Sequence, residues 1–252
     1  MTAVLAIANQ KGGVGKTTTA INLGAALAAH ERQVLLVDCD PQGNATRGLG
    51  VAATPPHLYQ VLTGLAPAGA AVRPSGFPHL DLVPADRDLV GVEVEFPGLE
   101  GWERRLGEAL APLLPSYSTV LLDCPPSLGH LTVAALTAAS AVLVPLQCEY
   151  FALEGIRDLL ATVERVRATL NPRLEIAGIV LTMYDERTNL GQDVAAEARR
   201  HFGSKVYKTV VPRNVRLAEA PSHGVPVLAY DIKCRGAEAY LELAREMLGA
   251  AA

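Results

Sequence analysis

Three groups of residues in this chain have the types and spacing to handle a phosphate. The first is Asn9-Gln10-Lys11-Gly12-Gly13-Val14-Gly15-Lys16-Thr17-Thr18. Its glycines let backbone N–H groups turn inward around anionic oxygens, where a Cβ would obstruct them. Lys16 supplies a cation for the β- and γ-phosphates of a nucleotide, and the Thr17 hydroxyl supplies an oxygen for Mg2+. The second group ends the apolar run Val34-Leu35-Leu36-Val37 in Asp38-Cys39-Asp40, which puts two carboxylates on one side of a strand end. The third ends Val120-Leu121-Leu122 in Asp123, followed by Cys124-Pro125-Pro126-Ser127. Buried carboxylates are costly alone, so a cation, water or N–H partner is expected beside them. Asp123 would hold Mg2+ through water or support Thr17. Asp38 is either catalytic or a cap on the turn that follows, and the cap is favoured.

These residues need strands that end at one edge and a helix that begins at the loop. Continuous apolar, β-branched runs at residues 4–8, 33–38, 80–84, 119–123, 141–146, 176–182 and 206–211 read as strands covered on both faces, hence parallel. Helical patterns lie between them at residues 16–29, 102–114, 131–139, 153–170, 191–202 and 236–248. The alternation predicts an α/β fold with a doubly wound, mostly parallel sheet flanked by helices, and ligand at the carboxyl ends of the strands. Residues 50–79 read as a helical turn and loops. With no repeat and no linker in sight, residues 1–252 are expected to form a single domain.

Composition excludes several classes. Half the residues are hydrophobic and 19% charged, so disorder is excluded. The longest uncharged stretch, residues 125–148, is interrupted by Pro145 and carries Ser127, His130, Thr132, Thr137 and Ser140, which suits a buried helix and strand better than a membrane span. No secretion signal precedes the first strand, and a cytoplasmic protein is expected. The cysteines at 39, 124, 148 and 234 are too scattered for a zinc site or disulfide framework, and none of the six histidines is assigned to a metal or to catalysis. Net charge is −4, yet it is unevenly spread. Residues 1–186 carry −7 and residues 187–252 carry +3, with six Lys/Arg and no acid between Arg199 and Arg216.

The loop departs from the usual G-x-x-x-x-G-K-[ST] pattern, having Gln10 in place of the first glycine and an added lysine at 11. K-G-G-x-G-K-T-T resembles the deviant Walker A loop of the ParA, MinD and nitrogenase iron protein superfamily, which implies a P-loop NTPase of that type. The likeness extends to residues 40–49, 123–129, 145–155, 181–193 and above all Val211-Pro212-Arg213-Asn214-Val215-Arg216-Leu217-Ala218-Glu219-Ala220-Pro221-Ser222, the pattern of a Soj-type chromosomal ParA.

The resemblance implies that Lys11 reaches across a dimer to the partner's nucleotide, acting with Lys16 on developing phosphate charge, and that Asp40 orients the attacking water and lies near the metal with Thr17 and Asp123. It places Pro212, Arg213 and Asn214 beside the adenine, and Arg187 and Arg216 on a DNA-binding face. The basic stretch adds Arg199, Arg200, Lys205 and Lys208 as candidate phosphate contacts. Without a recognition helix or aromatic platform, binding to double-stranded DNA should be nonspecific and salt-dependent. ATP and Mg2+ are the implied cofactors, a homodimer and a ParB-like stimulating protein the implied partners, and the nucleoid the implied location. A MinD-like membrane ATPase would need a basic amphipathic C-terminal helix, whereas residues 236–248 carry Glu238, Glu242 and Glu246 against Arg245. A cluster-bearing reductase would need a cysteine arrangement that Cys124 and Cys148 do not offer. A noncatalytic nucleotide-binding adaptor is the remaining alternative.

Overall fold

A computed structural model describes residues 2–149 and 152–250, the side chains of 152–155 and 250 excepted. Eight strands form one sheet: β1 (Ala3–Ile7), β2 (Val34–Asp38), β3 (Arg73–Pro74), β4 (Leu80–Val83), β5 (Thr119–Asp123), β6 (Ala141–Gln147), β7 (Glu175–Tyr184) and β8 (Val206–Pro212). Their order is β3-β4-β2-β5-β1-β6-β7-β8, parallel throughout except for β3 against β4. The sheet is therefore mostly parallel and wound in both directions from its centre, as the β-α alternation requires.

Strand side chains alternate into two cores. Leu35, Val37, Val120 and Leu122 face the helices Leu58–Leu62, His130–Ala138 and Ala152–Thr169 on one side. Val34, Leu36 and Leu121 face Lys16–Ala29 and Arg235–Ala250 on the other. Each buried Leu or Val contributes about 1.5–3 kcal/mol, so a strand with apolar residues at every position holds both layers. Helix Arg235–Ala250 lies on β8 and on Lys16–Ala29 with Tyr240, Leu243 and Ala244 buried, as its acidic outer face implies. No helix among the described residues is long and apolar enough to cross a membrane.

The seven apolar runs form strands, each matching within two residues at either end. The eighth strand, Arg73–Pro74, lies in the irregular section at residues 50–79, which also holds the helices Leu58–Leu62 and Ala68–Ala71. Two residues carry no period, so pairing with β4 alone defines that strand. Residues 102–114, expected as one helix, divide into a 3-10 turn at Trp102–Arg104, a helix at Arg105–Leu110 and further turns. Within the segment 145–155 that carried part of the resemblance, Tyr150 and Phe151 lie outside the described residues.

Candidate nucleotide site and the basic edge

β1, β2 and β5 are adjacent, and their register pairs Ile7 with Asp123 and Asp38 with Asp123. The phosphate-loop sequence thus leaves the sheet beside both carboxylate motifs. Gly15, with φ of 88°, turns the chain into helix Lys16–Ala29 in a left-handed conformation that disfavours any residue with a Cβ. A Cβ at Gly12 or Gly13 would meet nothing within 4 Å, so these glycines leave open space along the loop instead of packing inside the protein. The loop is fixed from outside. Asn9 donates to the Pro145 carbonyl at 2.7 Å, the Lys11 N–H donates to Asn9 Oδ1 at 3.0 Å, and the buried Thr182 hydroxyl donates to the Val14 carbonyl at 2.8 Å.

Lys16 is almost fully buried, and its ammonium donates to the Lys11 carbonyl at 2.9 Å. Burial lowers its pKa, while Asp123 and Asp40 oppose that by favouring the cation. Asp123 is fully buried and, among the described residues, neither of its carboxylate oxygens completes a hydrogen bond. Burial first, and the facing Asp38 second, hold its carboxyl well above the usual range; the neighbouring Thr17 hydroxyl and Lys16 pull the other way. Two orphaned carboxylate oxygens beside a hydroxyl and Asp40 are a hard oxygen set that suits Mg2+.

The two aspartates of the second motif divide their work. Asp38 is enclosed and accepts from the Thr46 N–H at 2.8 Å, the Thr46 hydroxyl at 2.7 Å and the Asp40 N–H at 3.2 Å. Burial raises its pKa to about 6. It ties down the start of helix Asn44–Gly48 and has no oxygen to spare. Among the described residues Asp40 accepts only from the Gln42 N–H, at 2.9 Å, and it keeps some exposure.

A cavity of about 200 Å3 lies next to the loop, lined by Gly15, Thr18, Thr182, Met183, Pro212, Arg213, Asn214 and Tyr240 among others. Pro212, Arg213 and Asn214 thus share a wall with the phosphate loop, and the space suits a planar base. Sequence reasoning missed Thr182, Met183 and Tyr240 here. Met183 has φ of 51°, an unusual conformation for a side chain of that size, set by tertiary context alone. It also missed Glu149, whose carboxylate pairs with the Lys11 ammonium within the same chain.

The basic residues scatter. Arg187 is exposed but forked onto Asp185 at 2.9 and 2.8 Å, and its guanidinium pulls that carboxyl down to about 2. Arg216 is held by Glu219 at 2.7 Å and Asp231 at 3.4 Å. Arg187, Lys208, Arg213 and Arg235 do share a cavity of about 600 Å3 along β8, the outer strand. Arg199 and Arg200 stand exposed in the last turn of Asn189–Phe202, and the Lys205 ammonium donates to the Ile176 carbonyl at the start of β7. Lys205 therefore enters the amino end of β8 while Arg213 and Arg216 follow its carboxyl end. The stretch from Arg199 to Arg216 is basic in sequence, yet the fold spreads it along a strand.

A strand, an anion-binding loop, a helix and a buried carboxylate at the end of the neighbouring strand define a P-loop NTPase. A family model described as "AAA domain" matches residues 2–176. The chain is 59% identical over 249 residues to the chromosome partitioning protein ParA of Caulobacter vibrioides, covering 97% of this chain and 93% of that protein. It is 52% identical over 246 residues to the sporulation initiation inhibitor protein Soj of Bacillus subtilis, covering 97% of both. Among solved structures, cobyrinic acid a,c-diamide synthase from Mycobacterium smegmatis, with bound ATP analog and magnesium, superposes with a TM-score of 0.87 at 40% identity, over 98% of this chain and 95% of that one. The chain belongs to the ParA/Soj family of chromosome-partitioning ATPases.

Proposed function

We propose that the chain, acting as one ATPase domain, is a nucleotide-gated DNA clamp. Two copies close on ATP and Mg2+, the dimer holds double-stranded DNA without reading its sequence, and hydrolysis stimulated by a ParB-like protein releases it. The observation that carries the proposal is the division of labour between two lysines on one loop. Lys16 is sealed beneath the loop among carboxylates, while Lys11 stands partly exposed and, among the described residues, pairs with Glu149 alone. A buried ammonium serves the site of its own chain, and a partly exposed one can trade its carboxylate for a group on another.

In this reading the N–H groups of Gly12, Gly13, Val14, Gly15, Lys16, Thr17 and Thr18 hold phosphate oxygens, and Pro212, Arg213 and Asn214 flank the base. Thr17, Asp123 and Asp40 form the metal side, where Mg2+ when bound supplies charge neutralisation on the phosphates. Asp40 orients water, and Lys11 exchanges Glu149 for the partner's nucleotide. Dimerisation doubles the cations presented to DNA, and since counterion release compounds with each phosphate neutralised, affinity rises steeply. The M. smegmatis structure with bound ATP analog and magnesium supports the nucleotide and metal assignment. The C. vibrioides relative, a chromosome partitioning protein, supports the partitioning role.

The test is DNA co-sedimentation across a salt series with ATP, ADP and a nonhydrolysable analogue. Retention with ATP and the analogue but not ADP, falling linearly in log-log form with salt, is expected. Equal retention with all three nucleotides would remove the gate.

A further inference from the structure

Away from the phosphate loop, residues 57 and 84–88 meet at the carboxyl end of β4. The Leu58 N–H donates to the Pro84 carbonyl at 2.9 Å, which brings the fully buried His57 against the Asp86-Arg87-Asp88 turn. His57 Nε2 lies 3.2 Å from Asp86 Oδ1 and 3.8 Å from Asp88 Oδ2. Among the described residues its Nε2 completes no hydrogen bond. Asp86 is itself oriented, since its Oδ1 accepts from the Asp88 N–H at 2.9 Å. Among the described residues this is the one group of three His, Cys, Asp or Glu side chains whose donor atoms all lie within 4.8 Å of one another.

A buried imidazole nitrogen with no hydrogen bond is costly, and here Nε2 is aimed between two carboxylates. Ligands around a four-coordinate ion with bonds of about 2.0–2.2 Å stand about 3.3–3.6 Å apart, close to the two His57 separations. One imidazole nitrogen with two carboxylate oxygens favours a borderline first-row cation over Mg2+, which prefers oxygen alone.

We propose that His57, Asp86 and Asp88 bind a divalent cation of the Zn2+ class, distinct from the Mg2+ of the nucleotide site. Asp88 is largely exposed, so water completes the coordination from the solvent side. The site backs the catalytic segment. The Ala85 N–H donates to Thr46 Oγ1 at 3.0 Å, and the Thr46 hydroxyl donates to Asp38 at 2.7 Å. A cation that fixes residues 86–88 therefore steadies the turn on which Asp38 and Asp40 are set.

The experiment titrates tag-free protein with Co2+, in the absence of nucleotide and Mg2+, and follows the visible absorption that a nitrogen-containing site of low coordination intensifies. Thermal melts with Zn2+ run in parallel. Wild type is expected to take one such Co2+ per chain and to melt at a higher temperature with Zn2+. Asp88→Asn, a surface change that spares the fold, should weaken binding about tenfold or more and remove the thermal shift. His57→Gln should abolish the absorption, and Asp123→Asn should leave it unchanged. Absorption and melting shift equal in wild type and Asp88→Asn would overturn the proposal, as would their loss in Asp123→Asn.

Discussion

The phosphate side of the molecule and its basic edge are built on different terms. Around β1, β2 and β5, Lys16 and the three aspartates are buried and placed by strand register, with Lys16, Asp38 and Asp40 oriented by short-range bonds. Along β7 and β8, the cations are exposed, and Arg187 and Arg216 are tied to acids of their own chain. A catalytic site demands fixed geometry, whereas phosphate backbone contacts need only charge within reach. One region is therefore specified residue by residue, and the other only in its sum.

The comparison breaks most sharply at Lys11. Lys11→Ala should lower stimulated ATP turnover by about 10³-fold, the scale of a charge supplied in trans, while nucleotide still binds. Phosphate-release assays paired with nucleotide titration measure both. Asp40→Ala should retain nucleotide and stay on DNA, with turnover down about 10²-fold; wild-type turnover would remove Asp40 from its role.

At the basic edge the effects shrink. Arg187→Ala and Arg216→Ala should each reduce the slope of log affinity against log salt by about 1, with dimerisation preserved. Asp185→Asn sharpens the contrast, because freeing Arg187 should strengthen DNA binding. If Lys205→Ala matches Arg216→Ala in slope, the DNA face extends down β8 to its amino end.

How far the sequence reached follows the same division. The loop, both carboxylate strands and helix Lys16–Ala29 were legible because a glycine-rich turn between an apolar run and a helix has few alternatives. Asp38 as a cap was legible from its place before a turn. Glu149 beside Lys11, Thr182 beneath Val14 and His57 between Asp86 and Asp88 were not, since each pairing joins residues that only the tertiary fold brings together. The six-cation stretch is contiguous in sequence, and the fold spreads it along β8.

The smallest effect is in pH. The carboxyl groups of Asp38, raised to about 6, and Asp123, raised by burial, bind protons more tightly folded than unfolded. Their contribution to stability is therefore fully present at about pH 4, the unfolded carboxylate range, and declines as pH rises through 6. Mg2+ with nucleotide offsets part of that loss by neutralising Asp123, so its stabilisation in denaturant melts should be larger at pH 8 than at pH 5.5.

The central claim is the closure of two chains over nucleotide through Lys11. Light scattering at saturating Mg2+ and nonhydrolysable ATP analogue tests it directly. Twice the mass of one chain is predicted for the wild-type protein and the mass of one chain for Lys11→Ala. A wild-type protein that stays at one chain's mass, or a Lys11→Ala variant that doubles like it, would contradict the account.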